Sequence, residues 1–320
     1  MQQYIKHVVL FLLIFLCSIV LLDITLSFIE RKYSDFKIKS DPEYIVIGHS
    51  HPECSFNDSM ITNLKNLAES GESYYYMFFK LKQVIDQNES IKVVFVEYSN
   101  NQINENMNKW IWAEKYINFR YPQYSSFMNI SDKLILARNN PTGYLNSFSL
   151  ALKKKTYSIL KQDFDYSNKI GGYLYLERDK TDSLVNSITS KKTPLNKLSI
   201  SEYNLDYLSR ILQYCEAKRK KVILIRSPMH KKYSGYSNEL FYNKIRNEKY
   251  PNIEYLDFSK FPLTNSEFGD LEHLNFKGAK VFSKWFSDIL NNGLLDKTDK
   301  QAFINDEIQA RMHSNDVYKK

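Results

Sequence analysis

The sequence predicts an α/β body with a mostly parallel sheet, preceded by one membrane-spanning helix. Three observations carry this. Short apolar, β-branched runs stand at Tyr44–Ile47 (YIVI), Val93–Glu97 (VVFVE), Val222–Ile225 (VILI) and Ile253–Leu256 (IEYL). Such runs suit strands buried on both faces of a sheet. Helical patterns lie between and after them. At the N-terminus, Val8 to Ile29 reads VVLFLLIFLCSIVLLDITLSFI, with a single charge at Asp23.

That first segment sets the location. As a helix it spans about 33 Å, enough for a hydrocarbon core of roughly 30 Å. No small-residue cleavage pattern follows it, so residues 1–32 are expected to be an uncleaved anchor. Lys6 precedes the span, whereas Arg31, Lys32, Lys37 and Lys39 follow it, so the positive charges do not by themselves favour a cytoplasmic N-terminus. An extracytoplasmic body is preferred because the chemistry below suits that side. Residues 30–42 read as a polar juxtamembrane linker.

The body is expected over residues 33–293. Ser201 to Lys218 is its clearest helix, with Leu205, Leu208, Leu212 and Cys215 on one stripe. A second helix follows Asn275, carrying Ala279, Phe282, Phe286, Ile289 and Leu290, with Gly293 as its stop. Residues 103–200 depart from strand–helix alternation. They are rich in Tyr, Asn, Lys and Ser, with helical patches at Ile130–Arg138 and Tyr144–Leu160, and read as a helical insertion. Residues 294–320 lack a strong apolar stripe and are expected to form a peripheral helix or polar tail.

Composition narrows the function classes. The 320 residues are 43% hydrophobic and 15% aromatic, which fits a folded core. Tyr and Phe number 24 and 20 against 3 Trp, consistent with a carbohydrate-facing surface or with a biased proteome. Net charge is +8, but the basic clusters, such as Lys153-Lys154-Lys155, are short. They lack the stripe with interleaved aromatics that a nucleic-acid groove needs and read as solvated helix ends. Cys17, Cys54 and Cys215 form neither a disulfide framework nor a CxxC metal pair.

The candidate chemistry lies where strands end. After YIVI comes Gly48-His49-Ser50-His51, which would present Ser50 at the sheet's carboxyl edge. A serine needs a base to act as a nucleophile. Far downstream, GDLEHLNFKGA (Gly269 to Ala279) holds Asp270 and His273 three residues apart, placed so that the acid orients an imidazole that deprotonates Ser50. The plainer alternatives are a turn serine and helix caps at Asp270 or Asn275. His49 and His51 would also suit a metal with Glu53, Asp58, His230 or His273, although no paired motif supports it. More plausibly His51 lines the pocket. Cys54 is better placed as a small buried residue than as a nucleophile. Arg226 and His230, in RSPMHKKY after VILI, are candidates for substrate contact or a simple loop exit. Tyr74-Tyr75-Tyr76 would line a groove or pack.

Gly-x-Ser after the first strand and Asp-x-x-His before the last helix resemble the SGNH/GDSL hydrolase superfamily. The match covers about residues 43–100 and 221–292 and leaves out the middle. The resemblance implies a three-layer α/β/α, flavodoxin-like fold and serine-dependent ester hydrolysis or O-acyl transfer without metal or organic cofactor. It assigns Ser50, Asp270 and His273 to catalysis, and Gly71 with Asn100 or Asn101 to the oxyanion hole. HLNFKGA is similar to the same segment in membrane-anchored members linked to cell-surface polysaccharides. Those members imply an acylated glycan as substrate, the bilayer as partner through residues 8–29 and, for a transferase, a membrane acyl-donor protein. One departure stands out: His49 replaces the Asp of GDS. It leaves a non-catalytic surface-assembly or interaction protein as the alternative.

Overall fold

The computed structural model describes residues 1–188 and 198–317, with side chains as far as residue 313. Residues 189–197, inside the insertion expected at 103–200, and 318–320, the end of the expected tail, lie outside the described residues. In chain order the elements are α1 (Gln2–Tyr33), β1 (Tyr44–Ile47), α2 (Ser50–Ser55), β2 (Leu64–Asn66), α3 (Tyr74–Gln87), β3 (Val93–Glu97), α4 (Asn100–Ile103), α5 (Asn108–Trp112) and α6 (Glu114–Tyr124). They continue with α7 (Ile130–Asn139), α8 (Pro141–Lys161), α9 (Thr181–Ser187), α10 (Glu202–Ala217), β4 (Lys221–Arg226), α11 (Glu239–Lys249), β5 (Glu254–Asp257), α12 (Phe276–Asn291) and α13 (Lys300–Val317).

The chain forms two compact units. One joins Met1–Phe36 to Ile111–Ser167, and the other joins Lys37–Trp110 to Asn168–Lys320.

In the first unit α8 packs against α1, α6 and α7. Helix α1 is long and apolar enough to cross a membrane. Its residues 4–16 are exposed, while Asp23, Leu26, Ser27 and Glu30 are buried. The buried acids have partners. Asp23 takes Lys155 Nζ at 2.7 Å and Lys133 Nζ at 3.3 Å. Glu30 accepts from the Tyr166 hydroxyl at 2.6 Å and pairs with Lys154 at 3.4 Å. The solvated lysine cluster expected at 153–155 is therefore corrected: Lys155 is fully buried, because Asp23 offers a charge that water would otherwise satisfy.

The second unit is built on a five-stranded sheet of order β2-β1-β3-β4-β5, and all four pairings are parallel. Alternate strand residues face opposite sides. Val46, Phe95, Ile223, Ile225 and Leu256 pack with Phe56, Phe258, Phe282, Phe286 and Ile289, a core centred on α12. Ile45, Ile47, Val94, Val96 and Leu224 are equally buried on the opposite side. Helix α10 packs there against β4 and α3. Tyr74, Tyr75 and Tyr76 are fully buried in α3, so they pack and line no groove.

Two elements differ from expectation. Strand β2 is only Leu-Lys-Asn, an edge strand without an apolar run. Helix α13 is part of the core: Ile304 and Ile308 are buried with Leu290 and Leu294. Its Gln301 side chain accepts from Asp257 N–H at 2.7 Å and donates to Asp257 C=O at 3.3 Å, occupying the outer edge of β5.

Candidate functional site

All the chemistry-bearing segments of the second unit meet at the carboxyl ends of the strands. Ser50 opens α2 directly after β1. The turn requires Gly48: a Cβ there would lie 2.5 Å from Pro52 Cγ and 2.6 Å from Glu97 Cβ. His49 caps α2, its Nδ1 accepting the His51 N–H at 3.3 Å. As the first residue of α2, Ser50 has no intrahelical acceptor for its own N–H.

Ser50 Oγ lies 2.7 Å from His273 Nε2. His273 Nδ1 lies 2.9 Å and 3.1 Å from the two Asp270 oxygens. Asp270 Oδ1 also accepts the backbone N–H groups of Glu272 and His273, at 2.8 Å and 2.9 Å. Burial opposes Asp270's ionisation, but these hydrogen bonds and the Arg178 guanidinium outweigh it and hold its pKa down at about 2. An ionised carboxylate only accepts, so His273 carries its hydrogen on Nδ1 and turns the Nε2 lone pair to Ser50.

The loop that supplies this pair is tightly held. Gly269 N–H donates to His273 C=O at 2.9 Å, and Phe268 bridges Leu274. Asn275, not Asp270, caps α12, accepting from Lys277 and Gly278 N–H. His230 braces the same loop: Nε2 is 3.0 Å from Asn265 Oδ1, and its N–H donates to Leu271 C=O at 3.2 Å. Residues 171–180 run across these pieces. Leu174 N–H donates to Glu53 C=O, Phe276 N–H to Leu176 C=O and Lys180 N–H to Gly269 C=O. Arg178 Nη1 reaches Asp270 Oδ2 at 2.9 Å.

Behind the serine sits a buried ionic group. Glu97, closing β3, accepts the His49 N–H at 2.8 Å and lies 3.0 Å from His51 Nδ1. His51 Nε2 is 3.5 Å from Glu272. Burial works against protonation of His51, but the two carboxylates prevail and raise its pKa to about 9. His49 behaves oppositely: burial outweighs Glu97 and lowers its pKa to about 3, so its ring stays neutral. Glu97 is held ionised, its pKa lowered to about 2 by the two histidines against the burial cost. A carboxylate from the neighbouring strand thus anchors the turn Gly48–Ser50.

The other expected residues are placed as follows. Gly71 lies in the β2–α3 turn with φ 70°, and that turn is tied to the turn before Ser50 by Glu69 N–H donating to Gly48 C=O at 3.1 Å. The Asn100 amide donates to Gly235 C=O at 2.8 Å. Asn101 Nδ2 donates to Glu272 at 2.8 Å, and its Oδ1 accepts from the Tyr233 hydroxyl at 2.8 Å. Neither amide is turned to Ser50. Arg226 is buried with Nη1 on Glu239, Asp257 at 3.9 Å and the Tyr236 ring beneath it, while its Nε and Nη2 have no hydrogen-bond partner among the described residues. His51 does lie beside the line, its ring centroid 5.2 Å from that of His273. Cys54 is buried, which pushes its thiol pKa up to about 12 and removes it as a nucleophile.

His49, His51 and Glu97 are close enough to hold a metal ion, with one donor atom each within 4.8 Å of the others. Part of this donor set is already engaged, although His49 Nε2 has no hydrogen-bond partner among the described residues. His49 Nδ1 and Glu97 Oε2 accept backbone N–H groups, and His51 faces carboxylates on both nitrogens. That donor set fits an internal ion pair better than a metal.

Sequence reasoning missed Glu97, Glu272, Arg178 and Trp110. Glu97 carried a usable signal, a charge closing a wholly apolar strand. A protein-family profile whose description names no activity matches residues 151–295, a stretch that includes Asp270 and His273 but not Ser50. No curated protein matches the chain.

Proposed function

We propose that this protein is a membrane-anchored, serine-dependent ester hydrolase or O-acyltransferase of the SGNH type, acting outside the membrane on an acylated glycan. One observation carries the reading: Ser50 Oγ, His273 and Asp270 form a continuous hydrogen-bonded line, 2.7 Å and 2.9 Å per link. The 2-1-3-4-5 strand order, with helices on both faces, is the doubly wound flavodoxin-like arrangement and agrees with it. The packing of Asp23 to Glu30 within the first unit favours a retained anchor over a cleaved signal.

In this reading Ser50 gives its proton to His273 Nε2 as Oγ attacks the acyl carbon. Asp270 holds the imidazole and stabilises its positive charge. The Ser50 N–H and the Gly71 N–H receive the developing oxyanion. His273 then returns the proton to the departing alcohol. Water, or a sugar hydroxyl, resolves the acyl-enzyme by the same path in reverse. His51 remains charged between Glu97 and Glu272.

The test uses the full chain in a mild detergent, p-nitrophenyl acetate and a fluorophosphonate probe. Hydrolysis and labelling by wild type, both lost in Ser50→Ala, are expected, with a fall of about a thousandfold or more for His273→Ala. Equal rates in wild type and Ser50→Ala overturn the reading. A non-catalytic interaction protein is the second reading, favoured by the commitment of both Asn amides away from Ser50. It predicts a folded wild type that takes no probe.

A further inference from the structure

A cavity of about 280 Å³ opens beside the Ser50 line in the second unit. Its lining has an unusual composition. Five asparagines (Asn100, Asn101, Asn104, Asn106 and Asn238) line it together with Trp110, Tyr233 and Tyr242, and no lining residue carries a charge. We infer that this cavity is a subsite for one neutral sugar ring, the residue that carries or receives the acyl group.

The chemistry of the wall points to that ligand. A sugar hydroxyl both donates and accepts, and a carboxamide is the side chain that matches both roles. Charged walls would select acids or amines, and apolar walls would leave hydroxyls unpaired at a high cost. The flat indole of Trp110 gives the C–H face of a pyranose a surface to cover. The polar wall is also held in place. Asn104 Nδ2 donates to the Tyr242 hydroxyl at 2.7 Å, and Asn104 Oδ1 accepts the Asn106 N–H at 2.9 Å. Asn101 is fixed between Tyr233 and Glu272. The side-chain amide of Asn106, by contrast, has no hydrogen-bond partner among the described residues. The volume is at the low end for ligand pockets, which suits one ring rather than a chain.

The cavity is coupled to the reacting atoms at two points. Trp110 packs edge-on to His49 with centroids 5.5 Å apart, and His49 Nδ1 is 3.5 Å from Ser50 Oγ. Asn101 meets Glu272, which in turn faces His51. Trp110 is thus separated from Ser50 by one imidazole. The acceptor role, though not the binding, rests on the serine-acyltransferase reading. In that role the sugar oxygen bonds to the acyl carbon and its proton passes to His273 Nε2. The bond from that carbon to Ser50 Oγ then breaks, and the proton returns to Ser50.

The test measures binding in the absence of turnover. Ser50→Ala full chain in lipid nanodiscs, free of glycosidic detergent, is titrated with maltotriose, cellotriose, chitotriose and mannotriose, and with trigalacturonate as an acidic control. At least one neutral trisaccharide is expected to bind, with trigalacturonate weaker by about tenfold or more. Trp110→Ala and Asn104→Ala should each weaken the neutral sugar by about tenfold, whereas Trp110→Phe, which keeps a ring face, should stay within about threefold. Circular dichroism checks that the variants fold, and Trp110→Phe keeps the test meaningful should Trp110→Ala fail to fold. No binding by any neutral sugar, equal binding of the acid, or unaltered affinity in both Trp110→Ala and Asn104→Ala overturns the subsite. Retained ester hydrolysis by Ser50→Ala would overturn the nucleophile instead, so the two failures are separable.

Discussion

Glu97→Gln probes the ionic group behind Ser50 without relying on any activity. Glutamine keeps the shape and one acceptor for the His49 N–H but removes the charge that faces His51 at 3.0 Å. The magnitude follows from His51. Its folded pKa of about 9, against an ordinary 6.5, corresponds to roughly 3 kcal/mol at about 1.4 kcal/mol per pKa unit. Glu272 supplies part of that, so the variant should lose roughly 2–3 kcal/mol, near the low end for breaking a buried pair. The sign is set by both partners. A raised His51 stabilises the fold fully below about pH 6.5, and this contribution disappears as pH rises through about 9. Glu97 is lowered from 4.5 to about 2, so its contribution holds above about pH 4.5 and is lost as pH falls through 2. The gap between wild type and Glu97→Gln should therefore be widest at about pH 5–6 and shrink by about pH 9.5. Urea unfolding of the full chain, followed by tryptophan fluorescence at several pH values, measures it. Coincident midpoints at about pH 6, or a gap that stays constant to about pH 9.5, would refute the ion-pair account.

Three further outcomes are expected. Asp270→Asn should lower kcat on p-nitrophenyl acetate by about a thousandfold or more with little change in KM, because an amide fixes the wrong His273 tautomer. In Arg178→Gln, Asp270 loses a cation 2.9 Å from Oδ2 that helps hold its carboxylate ionised. The kcat/KM on p-nitrophenyl acetate should fall by about tenfold, and an unchanged value would show that Arg178 only tethers residues 171–180. Ile308→Ala should cost roughly 2–4 kcal/mol in urea unfolding, whereas a solvated tail would cost nothing measurable.

The strands most legible in the sequence are the central ones. β1, β3 and β4 are largely buried on both faces, which forces the apolar runs that mark them, whereas β5, at the sheet edge, buries only Leu256 and is marked by a shorter signal in IEYL. β2 escaped notice because an edge strand needs no such run, and its Asn66 serves by bonding to Pro52 and Phe56 carbonyls instead. Helix α13 escaped because two isoleucines four residues apart, Ile304 and Ile308, suffice to seat it. At the site, Ser50, Asp270 and His273 were legible because each sits in a short segment whose local geometry follows from Gly48 or from the Asp-x-x-His turn. The roles of Asn100 and Asn101 were not, because an amide's direction depends on distant acceptors such as Gly235 and Glu272. The burial of Lys155 was illegible for the same reason: its partner, Asp23, lies over a hundred residues away.

The position of Gln301 has a consequence for biosynthesis. At Asp257 the outer edge of β5 is satisfied by the Gln301 side chain of α13. During synthesis, that position stays open until α13 has emerged, well after the rest of the sheet. A nascent chain beside others of its kind would expose an unpaired strand edge throughout that interval. Loss of the final helix would thus be felt first as mispairing between neighbouring nascent chains, before any mature protein exists to lose activity.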